Sequence, residues 1–483
     1  MDAAQSSVAA TKPKRVHPLR LAQSHADRKE WADLIGATSS FRLLRSRPRL
    51  LATRLEAALA LGDEAEIAWT FAIAVGTPMS PELRFATVRP LIKYGRAKEA
   101  WLLLQVDPQM EGHHNFRRTA MRLGKIAQQG SETFTEVRRF VSRGAPKQKR
   151  HRIALPFPAA DDIKDRDVGT ANALFSSHVD ERHISAFWAE TEAFEQRARR
   201  PRRPLGFELR DVFVNVDGHV WNKKGEIIVD VGRPVPQFDE AACPVVPEAI
   251  SGLRATRGIY HWLVDTMPTL SAIRERDSAK ILIAEKAPQF EYESLQLAGV
   301  PDEAIEKCSG IRFVERLILP SVGMATLRLW SRVGTLFEAM KQSATALSSG
   351  EDLAEKIYIS RRDSVRRRLT NEQELEDRLS ENGYRIVEMA TIPFWKQVAL
   401  AASAREIMGP HGAGLSHILF AQPGTKVTEL LPITDGTYFL RFNYARLSLV
   451  LGLDYKAWIE PQPVMTDAWH LDLAELFDSG LIS

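Results

Sequence analysis

A strict alternation of short apolar strands and helices between residues 356 and 459 constrains this chain most. Strands are predicted at 356–360, 385–388, 405–408, 426–430 and 455–459, and helices at 371–381, 394–403, 415–421 and 438–451. This order is typical of a parallel, doubly wound α/β sheet. Such sheets bind ligands in the crevice at the carboxyl ends of their strands. A binding site is therefore expected at that edge.

A glycine-rich turn follows the third of these strands. It reads Gly409-Pro410-His411-Gly412-Ala413-Gly414 and leads into an apolar helix. Glycines let backbone N–H groups approach an anion, and a helix N-terminus adds partial positive charge. The alternatives are a tight strand-to-helix turn, with His411 packed against it as a buried side chain. Because the turn is not GxGxxG, NAD binding is not favoured.

Other polar residues fall near the ends of the same strands. Arg361 and Arg362 follow the first strand, and Glu429 closes the fourth. Arginine can bind two phosphate oxygens at once, and a carboxylate can accept hydrogen bonds from ribose hydroxyls. Together with the glycine turn, these residues predict a site for a nucleotide diphosphate. A solvated basic face leading into Arg366-Arg367-Arg368 and a helix-capping role for Glu429 remain alternatives.

A second candidate group lies earlier in the chain. His261 and Asp265 are four residues apart on a predicted helix and so share one face. A carboxylate beside an imidazole is a common arrangement for a general base. An ordinary helix-surface pair is the alternative. No motif with metal-ligand spacing occurs, so no metal site is predicted, and Asp363 is a poor candidate for one.

The rest of the chain divides by composition and periodicity. Residues 28–142 are predicted to be helical, and Gly62 and Gly95 mark a faint repeat resembling the tetratricopeptide repeat. That region either binds a protein partner or only packs on itself. The predicted divisions are a poorly ordered tail at 1–27, a basic linker with a helix at 143–204, an α/β domain with a β-meander at 205–345, a Rossmann-like domain at 346–462 and a helical tail at 463–483.

Composition narrows the functional class. The 483 residues are 44% hydrophobic and 26% charged, with a net charge of +4, which indicates a globular protein that need not bind nucleic acid. Only Cys243 and Cys308 are present, which suits a reducing compartment. Without an apolar leader or a run of about 18 apolar residues, a cytoplasmic protein is expected. Its basic clusters would allow peripheral contact with the inner face of a membrane.

Several motifs, in order along 205–460, resemble glycosyltransferase family 61, which includes bacterial enzymes of the capsular-polysaccharide type. The matching residues are Tyr260-His261-Trp262-Leu263-Val264-Asp265, Ile357 to Arg362, Asn371-Glu372, Gln397, Gly409 to Leu415, Phe420, Pro423-Gly424 and Glu429-Leu430. The resemblance implies a GT-B architecture, in which two Rossmann-like domains face a cleft. It also implies an inverting transfer from a nucleotide sugar, usually a UDP-sugar, without a metal or other cofactor.

In that interpretation the C-terminal domain binds the donor. Arg361 and the backbone of Gly412, Ala413 and Gly414 would face the diphosphate, and Glu429 would face the ribose. Asp265 or His261 would be the base that activates a hydroxyl of a glycan or lipid-linked acceptor, in surface polysaccharide biosynthesis. Two other classes compete: a scaffold that uses the N-terminal helices beside a silent α/β region, and another nucleotide-using enzyme such as a kinase. The absence of GxxxxGK[ST] disfavours one common type of the latter.

Overall fold

The chain forms two compact units, residues 1–141 and residues 142–483. The computed structural model describes residues 18–107, 110, 115–142, 151–154, 172–198, 205–231, 235–255, 258–274, 277–320, 330–364, 366–433, 442–462 and 468–482. Within these ranges, no helix is both long enough and apolar enough to cross a bilayer.

The first unit is helical, which confirms the predicted all-α N-terminal region. Its helices are α1 (Pro18–Asp27), α2 (Trp31–Ala37), α3 (Phe41–Ser46), α4 (Arg49–Leu61), α5 (Glu64–Val75), α6 (Pro81–Lys93), α7 (Ala97–Gln105), α8 (Phe116–Ile126) and α9 (Glu132–Ser142). Helix α1 covers ten residues that the sequence assigns to a tail. They are helical because Ala22 and Ala26, one turn apart, are buried. Residues 1–17 lie outside the described residues.

The faint sequence repeat corresponds to a structural repeat of helix pairs. Gly62 ends α4 and Gly95 follows α6, and both adopt the left-handed conformation, with φ of 68° and 75°. Each glycine therefore occupies the same turn between the two helices of a pair. Helix α4 packs on both α5 and α6, and α6 packs on α7. Successive pairs thus bury their apolar faces against each other.

The second unit contains a mixed sheet of eight strands. They are β1 (His151–Ala154), β3 (Leu205–Asn215), β4 (Val220–Asn222), β5 (Ile227–Val229), β6 (Val245–Ser251), β7 (Lys280–Ala284), β8 (Ile305–Cys308) and β9 (Ile311–Pro320). The order is β5-β4-β3-β9-β6-β7-β8, with β1 on β3. Strands β3, β4 and β5 form the predicted meander, and only β9-β6-β7-β8 is parallel. This sheet is therefore not a purely parallel Rossmann sheet.

The second sheet is fully parallel, as the alternation predicts. Its strands are β2 (Asn172–Phe175), β10 (Lys356–Ile359), β12 (Arg385–Val387), β13 (Glu406–Pro410), β14 (Lys426–Ile433) and β15 (Asp454–Pro461). The order is β12-β10-β13-β14-β15-β2. From β10 the chain moves to β12 on one side and then to β13 on the other. The strand order therefore reverses between β10 and β13, which is where doubly wound sheets bind ligands.

Helical segments connect these strands. The α-helices are α10 (Glu181–Ala198), α11 (Met267–Arg274), α12 (Gln289–Leu297), α13 (Trp330–Leu347), α14 (Glu372–Glu381), α15 (Phe394–Ser403), α16 (Phe442–Leu451) and α17 (Leu473–Asp478). A π-helix spans His261–Thr266, and 3₁₀ helices span Asp302–Ala304, Met389–Thr391 and Ala413–Phe420. Residues 438–441 of a predicted helix lie outside the described residues, as do most residues of the two basic clusters at 143–152 and 197–204.

Two segments that the sequence assigns to a linker and to a tail contribute strands. Strand β2, from the predicted linker at 143–204, extends the parallel sheet by pairing with β15. Strand β16 (Ala468–Trp469), from the predicted tail at 463–483, pairs with β11 (Arg368–Leu369). Trp469 and Leu476 are buried in the same cluster as Tyr358 and Trp458 of the parallel sheet. Apolar burial explains why these segments are ordered.

Candidate functional site

Two loops meet where the strand order of the parallel sheet reverses. The loop after β10 carries Arg361, and the turn after β13 carries His411 and Gly412. The Arg361 side chain donates a hydrogen bond from Nη1 to the carbonyl oxygen of His411. The fold thus joins the two polar segments that the sequence placed at strand ends.

The glycines of the turn are required by close packing. A Cβ atom on Gly412 would lie 2.5 Å from Arg361 Cζ, and one on Gly414 would lie 2.7 Å from Ile359 Cγ2. At Gly409 it would lie 2.9 Å from the Ile359 carbonyl oxygen. The turn can approach β10 only without side chains at these positions. The segment after it, predicted as an α-helix at 415–421, is the tighter 3₁₀ helix 413–420.

Arg361 is held by polar groups of the protein, and none of the described carboxylates forms an ion pair with it. Its Nη2 donates to Ser364 Oγ at 2.7 Å, and its backbone N–H donates to Glu372 Oε1 at 2.8 Å. No carboxylate of the described residues lies within 4.0 Å of its guanidinium. Burial lowers the pKa of Arg361 below its ordinary value. A partly desolvated cation of this kind favours an anionic ligand.

Arg367 is a second partly buried arginine, in the run for which the sequence leaves a solvated basic face as the alternative. Burial lowers its pKa, and the nearby positive charge of Arg361 lowers it further. Within the described part of the chain, no hydrogen-bond partner reaches its buried Nε atom, and no carboxylate forms an ion pair with it. The backbone of Arg367 is left-handed, with φ of 52°, and its carbonyl oxygen accepts a 2.9 Å hydrogen bond from Trp469 Nε1. The sequence alone does not distinguish Arg367 from its neighbours Arg366 and Arg368.

Arg362, predicted to bind the donor, is engaged elsewhere. Its Nε lies 3.1 Å from Glu376 Oε2, and its Nη2 lies 3.2 Å from Glu388 Oε1. Its Nη1 donates to Gln373 Oε1. The chain turns directly after Arg361, so the Arg361 side chain reaches the His411 carbonyl while Arg362 neutralises carboxylates of α14 and of the loop after β12. The structure therefore does not support Arg362 as a donor ligand.

Glu429, predicted to face a ribose, is inaccessible. Strand β14 continues to Ile433, so Glu429 lies in the middle of a central strand, and its exposed fraction is 0%. Its Oε1 is hydrogen-bonded to His411 Nδ1, and its Oε2 accepts a 2.5 Å hydrogen bond from the Tyr455 hydroxyl. Both carboxylate oxygens are thus already used, and a ribose could not reach them in this arrangement.

His411 links this carboxylate to Arg361, because its Nδ1 is bonded to Glu429 and its carbonyl oxygen accepts from the Arg361 guanidinium. It is 5% exposed, its N–H donates to the Leu430 carbonyl at 2.8 Å, and its ring packs edge-on against Tyr444 at 5.3 Å. The Tyr444 hydroxyl donates to the Gly412 carbonyl oxygen at 2.5 Å. His411 is therefore buried against the turn, as one of the two interpretations of the sequence expected. Its neighbour Gly412 contacts Arg361, so His411 also stays a candidate for the binding site.

His261 and Asp265 form the predicted pair. His261 Nδ1 lies 2.7 Å from Asp265 Oδ2, and the two side chains are 52% and 15% exposed. A carboxylate only accepts, so Nδ1 carries the proton and Nε2 carries the lone pair. No described residue bonds the buried Asp265 Oδ1. The pair lies on a π-helix, a form that occurs mostly as short insertions and often at functional sites.

Aromatic rings connect this pair with the glycine turn. The Tyr260 ring lies 5.6 Å from the His261 ring and 5.6 Å from the Tyr444 ring, edge-on in both cases. Arg446 Nη2 donates to the Tyr260 hydroxyl at 3.4 Å. Burial raises the pKa of Tyr260, which keeps this phenol neutral. The two predicted groups, distant in sequence, therefore belong to one continuous region.

Groups that could hold a metal ion lie elsewhere. Among the described residues they are His25, Glu30 and Asp33 in the first unit, and His178, Asp472 and Glu475 beside β2 and α17. Neither set includes a residue of the crevice. In the second set, Asp472 caps α17 and the Glu475 carboxylate accepts from the Ser177 N–H at 2.8 Å.

Comparison with known proteins finds one similar family. No curated protein matches the chain. Residues 259–428 match the family Glycosyltransferase 61. The matched segment begins two residues before His261, includes Arg361 and the glycine turn, and ends one residue before Glu429. The segment that contains His261, Arg361 and the glycine turn is thus similar to this family, and the similarity supports a glycosyltransferase activity.

Proposed function

We propose that the protein is an inverting glycosyltransferase that moves a sugar from a nucleotide-diphosphate donor, with UDP as the nucleotide, to a hydroxyl group. The acceptor would be a glycan or a lipid-linked glycan in surface polysaccharide biosynthesis. The observation that carries this proposal is the pair Arg361 and Arg367, two partly buried cations without ion-paired carboxylates in the described chain, at the reversal point of a parallel sheet.

The donor diphosphate would lie against these two guanidinium groups. Charge develops on the diphosphate as the sugar leaves, and preorganised cations in a desolvated site stabilise it. The 3₁₀ helix that begins at Ala413 adds further hydrogen-bond donors, because the first N–H groups of a helix have no acceptor within that helix. Together they would supply the positive charge that a divalent ion supplies in other transferases. The proposed reaction therefore needs no metal or other cofactor.

His261 is the proposed base and Asp265 the carboxylate that orients it. The exposed imidazole offers its Nε2 lone pair because Nδ1 is bonded to Asp265. In the transfer, Nε2 takes the proton of the acceptor hydroxyl as its oxygen bonds to the anomeric carbon. The bond between that carbon and the diphosphate breaks, and its electrons leave with the diphosphate. Asp265 stabilises the resulting imidazolium.

The two sheets of the second unit would be the two halves of a GT-B arrangement. The mixed sheet carries the acceptor side and the parallel sheet the donor side, with Tyr260 and Tyr444 in contact between them. The paired helices of the first unit would recruit a protein partner in the manner of tetratricopeptide repeats. We place the enzyme in the cytoplasm, with peripheral contact at the inner face of the membrane, where lipid-linked acceptors are found.

The donor site can be tested by thermal stabilisation. The full-length protein is heated with UDP, GDP, CDP or dTDP, each with and without EDTA. A bound nucleotide raises the melting temperature, because it stabilises only the folded state. We expect UDP to raise the melting temperature by the same amount with EDTA as without it. If none of the four diphosphates stabilises the protein, the proposed donor site is wrong.

Neighbouring arginines provide matched variants. Arg361→Ala and Arg367→Ala should each weaken UDP binding at least about tenfold, since each removes a charge-assisted contact. Arg362→Ala should leave it within about twofold, because that side chain neutralises Glu376 and Glu388. Titration calorimetry measures all three. Equal losses in Arg361→Ala and Arg362→Ala would refute the assignment.

The base is tested by turnover. His261→Asn should abolish transfer, lowering kcat at least about a thousandfold, and spare UDP affinity, whereas Asp265→Asn should retain more residual activity. The readout is release of UDP from the nucleotide sugar that stabilises the protein most. Intact transfer by His261→Asn would exclude His261 and make Asp265 the remaining candidate.

A further inference from the structure

We infer that Glu429 is a positioning residue, which holds His411 as a hydrogen-bond donor to the leaving diphosphate through the opposite ring nitrogen, Nε2. This inference rests on the proposed donor site. It assigns the diphosphate as the ligand of His411, and it gives Glu429 a positioning role in place of direct contact with the nucleotide.

Direct contact between Glu429 and a ribose would disrupt the buried network. The carboxylate is fully buried, with His411 on Oε1 and Tyr455 on Oε2. A ribose that replaced these donors would leave a buried imidazole N–H and a buried hydroxyl unpaired. Each unpaired group costs about 1–3 kcal/mol. The observed bonds therefore favour a structural link to His411.

The contacts of His411 fix its ring on several sides. Glu429 binds Nδ1, the Tyr444 ring packs edge-on at 5.3 Å, and backbone bonds tie the residue to Leu430 and to the Arg361 guanidinium. Nε2 is the only ring nitrogen that remains, and it lies across the ring from Glu429. The imidazole can thus present one defined polar atom.

Charge balance determines what that atom does. A fully buried carboxylate needs a compensating charge, and His411 is the basic side chain bonded to it, whereas Tyr455 contributes a neutral hydroxyl. With Nδ1–H bonded to Glu429, a protonated His411 also carries a proton on Nε2. Nε2–H then donates a hydrogen bond to a diphosphate oxygen beside Arg361. No covalent step is required of His411.

Pyrophosphate and UDP distinguish this role from ribose binding. We expect Glu429→Gln to weaken the binding of both ligands by about the same factor, roughly tenfold, because the lost contact is with the diphosphate. If Glu429 binds the ribose, the variant weakens UDP but leaves pyrophosphate unchanged. Calorimetric titration of the full-length protein with inorganic pyrophosphate and with UDP decides between them.

A double-mutant cycle tests whether Glu429 acts through His411. His411→Asn should weaken pyrophosphate binding as Glu429→Gln does, and the double variant should be within about twofold of either single variant. If the double variant instead loses pyrophosphate affinity by the product of the two single-variant factors, the inference is overturned. If the Glu429 variants do not fold, Tyr455→Phe can be used instead, because it removes only the second donor to the Glu429 carboxylate. It should weaken the binding of pyrophosphate and of UDP by equal factors, smaller than that expected for Glu429→Gln.

These outcomes are separate from failure of the proposed function. If the unmodified protein binds neither UDP nor pyrophosphate, the donor site itself is wrong. If it binds both, and Arg361→Ala weakens them while Glu429→Gln does not, only the role of Glu429 and His411 is wrong.

Discussion

At the scale of single residues, Gly412 lies directly against the Arg361 guanidinium. An added Cβ would lie 2.5 Å from Arg361 Cζ and 2.6 Å from Arg361 Nε, so Gly412→Ala must displace the guanidinium. We expect UDP affinity to fall about tenfold or more, as for a lost charge-assisted contact. Gly36→Ala is the control, because a Cβ at Gly36 meets no atom within 4 Å. Unchanged affinity in Gly412→Ala would contradict the observed contact.

His417 provides a residue-scale prediction about pH. The side chain is buried against Phe394 and Phe420, and burial lowers its pKa to about 4. Between about pH 6.5 and 4 the unfolded chain binds a proton that the folded chain does not. Stability therefore falls as the pH falls through this window, by up to about 3 kcal/mol.

His417→Asn should flatten that pH dependence, because its amide can replace the Nδ1 hydrogen bond to the Gly414 carbonyl without titrating. Urea unfolding at pH 7, 6, 5 and 4 measures the free energy of unfolding. The same slope in His417→Asn and the unmodified protein would refute the prediction.

At the scale of elements, the C-terminal strand β16 holds the loop that carries Arg367. Trp469 Nε1 donates to the Arg367 carbonyl, and β16 pairs with β11 immediately afterwards. Trp469→Phe keeps an aromatic ring but removes this donor, at a cost of about 1 kcal/mol. Because the left-handed backbone of Arg367 then loses an anchor, UDP affinity should fall about threefold to tenfold.

Trp458→Phe is the matched control for that change. Trp458 is also buried in the parallel sheet, and its Nε1 donates to Glu460 Oε1 at 3.0 Å, away from Arg367. Melting temperatures should fall by similar amounts in both variants, while calorimetric titration should show weaker UDP binding only in Trp469→Phe. Weaker UDP binding in both variants would mean that general destabilisation, and not the loop anchor, affects the site.

Elements with a strong local pattern could be predicted from the sequence, and those formed by distant pairing could not. Helix α15 has the predicted bounds 394–403, and the parallel strands lie within a few residues of their predictions. Strand β2 has four residues, and it lies beside β15, where Ser176 bonds Glu460 across 284 positions of sequence. Periodicity carries no information about such a partner.

The same distinction applies within the site. The sequence indicated Arg361 and the glycine turn because strand ends could be located by pattern. It misplaced Glu429 because the strand was predicted to end at 430, whereas β14 continues to Ile433 and buries the carboxylate. In the run of three arginines, Arg367 differs from Arg366 and Arg368 in being partly buried. Which cations are desolvated depends on tertiary packing.

At the scale of the whole molecule, two compact units predict two unfolding transitions. Scanning calorimetry of the full-length protein should resolve them, and UDP should raise only the transition of residues 142–483, which contain Arg361, Arg367 and His411. Leu55 is fully buried in α4 of the first unit, so Leu55→Ala should lower only the other transition, by about 2–5 kcal/mol of stability. Ile407→Ala, equally buried in β13, is the matched control and should lower only the UDP-sensitive transition. A single transition that both variants and UDP shift together would show that the units unfold as one cooperative body.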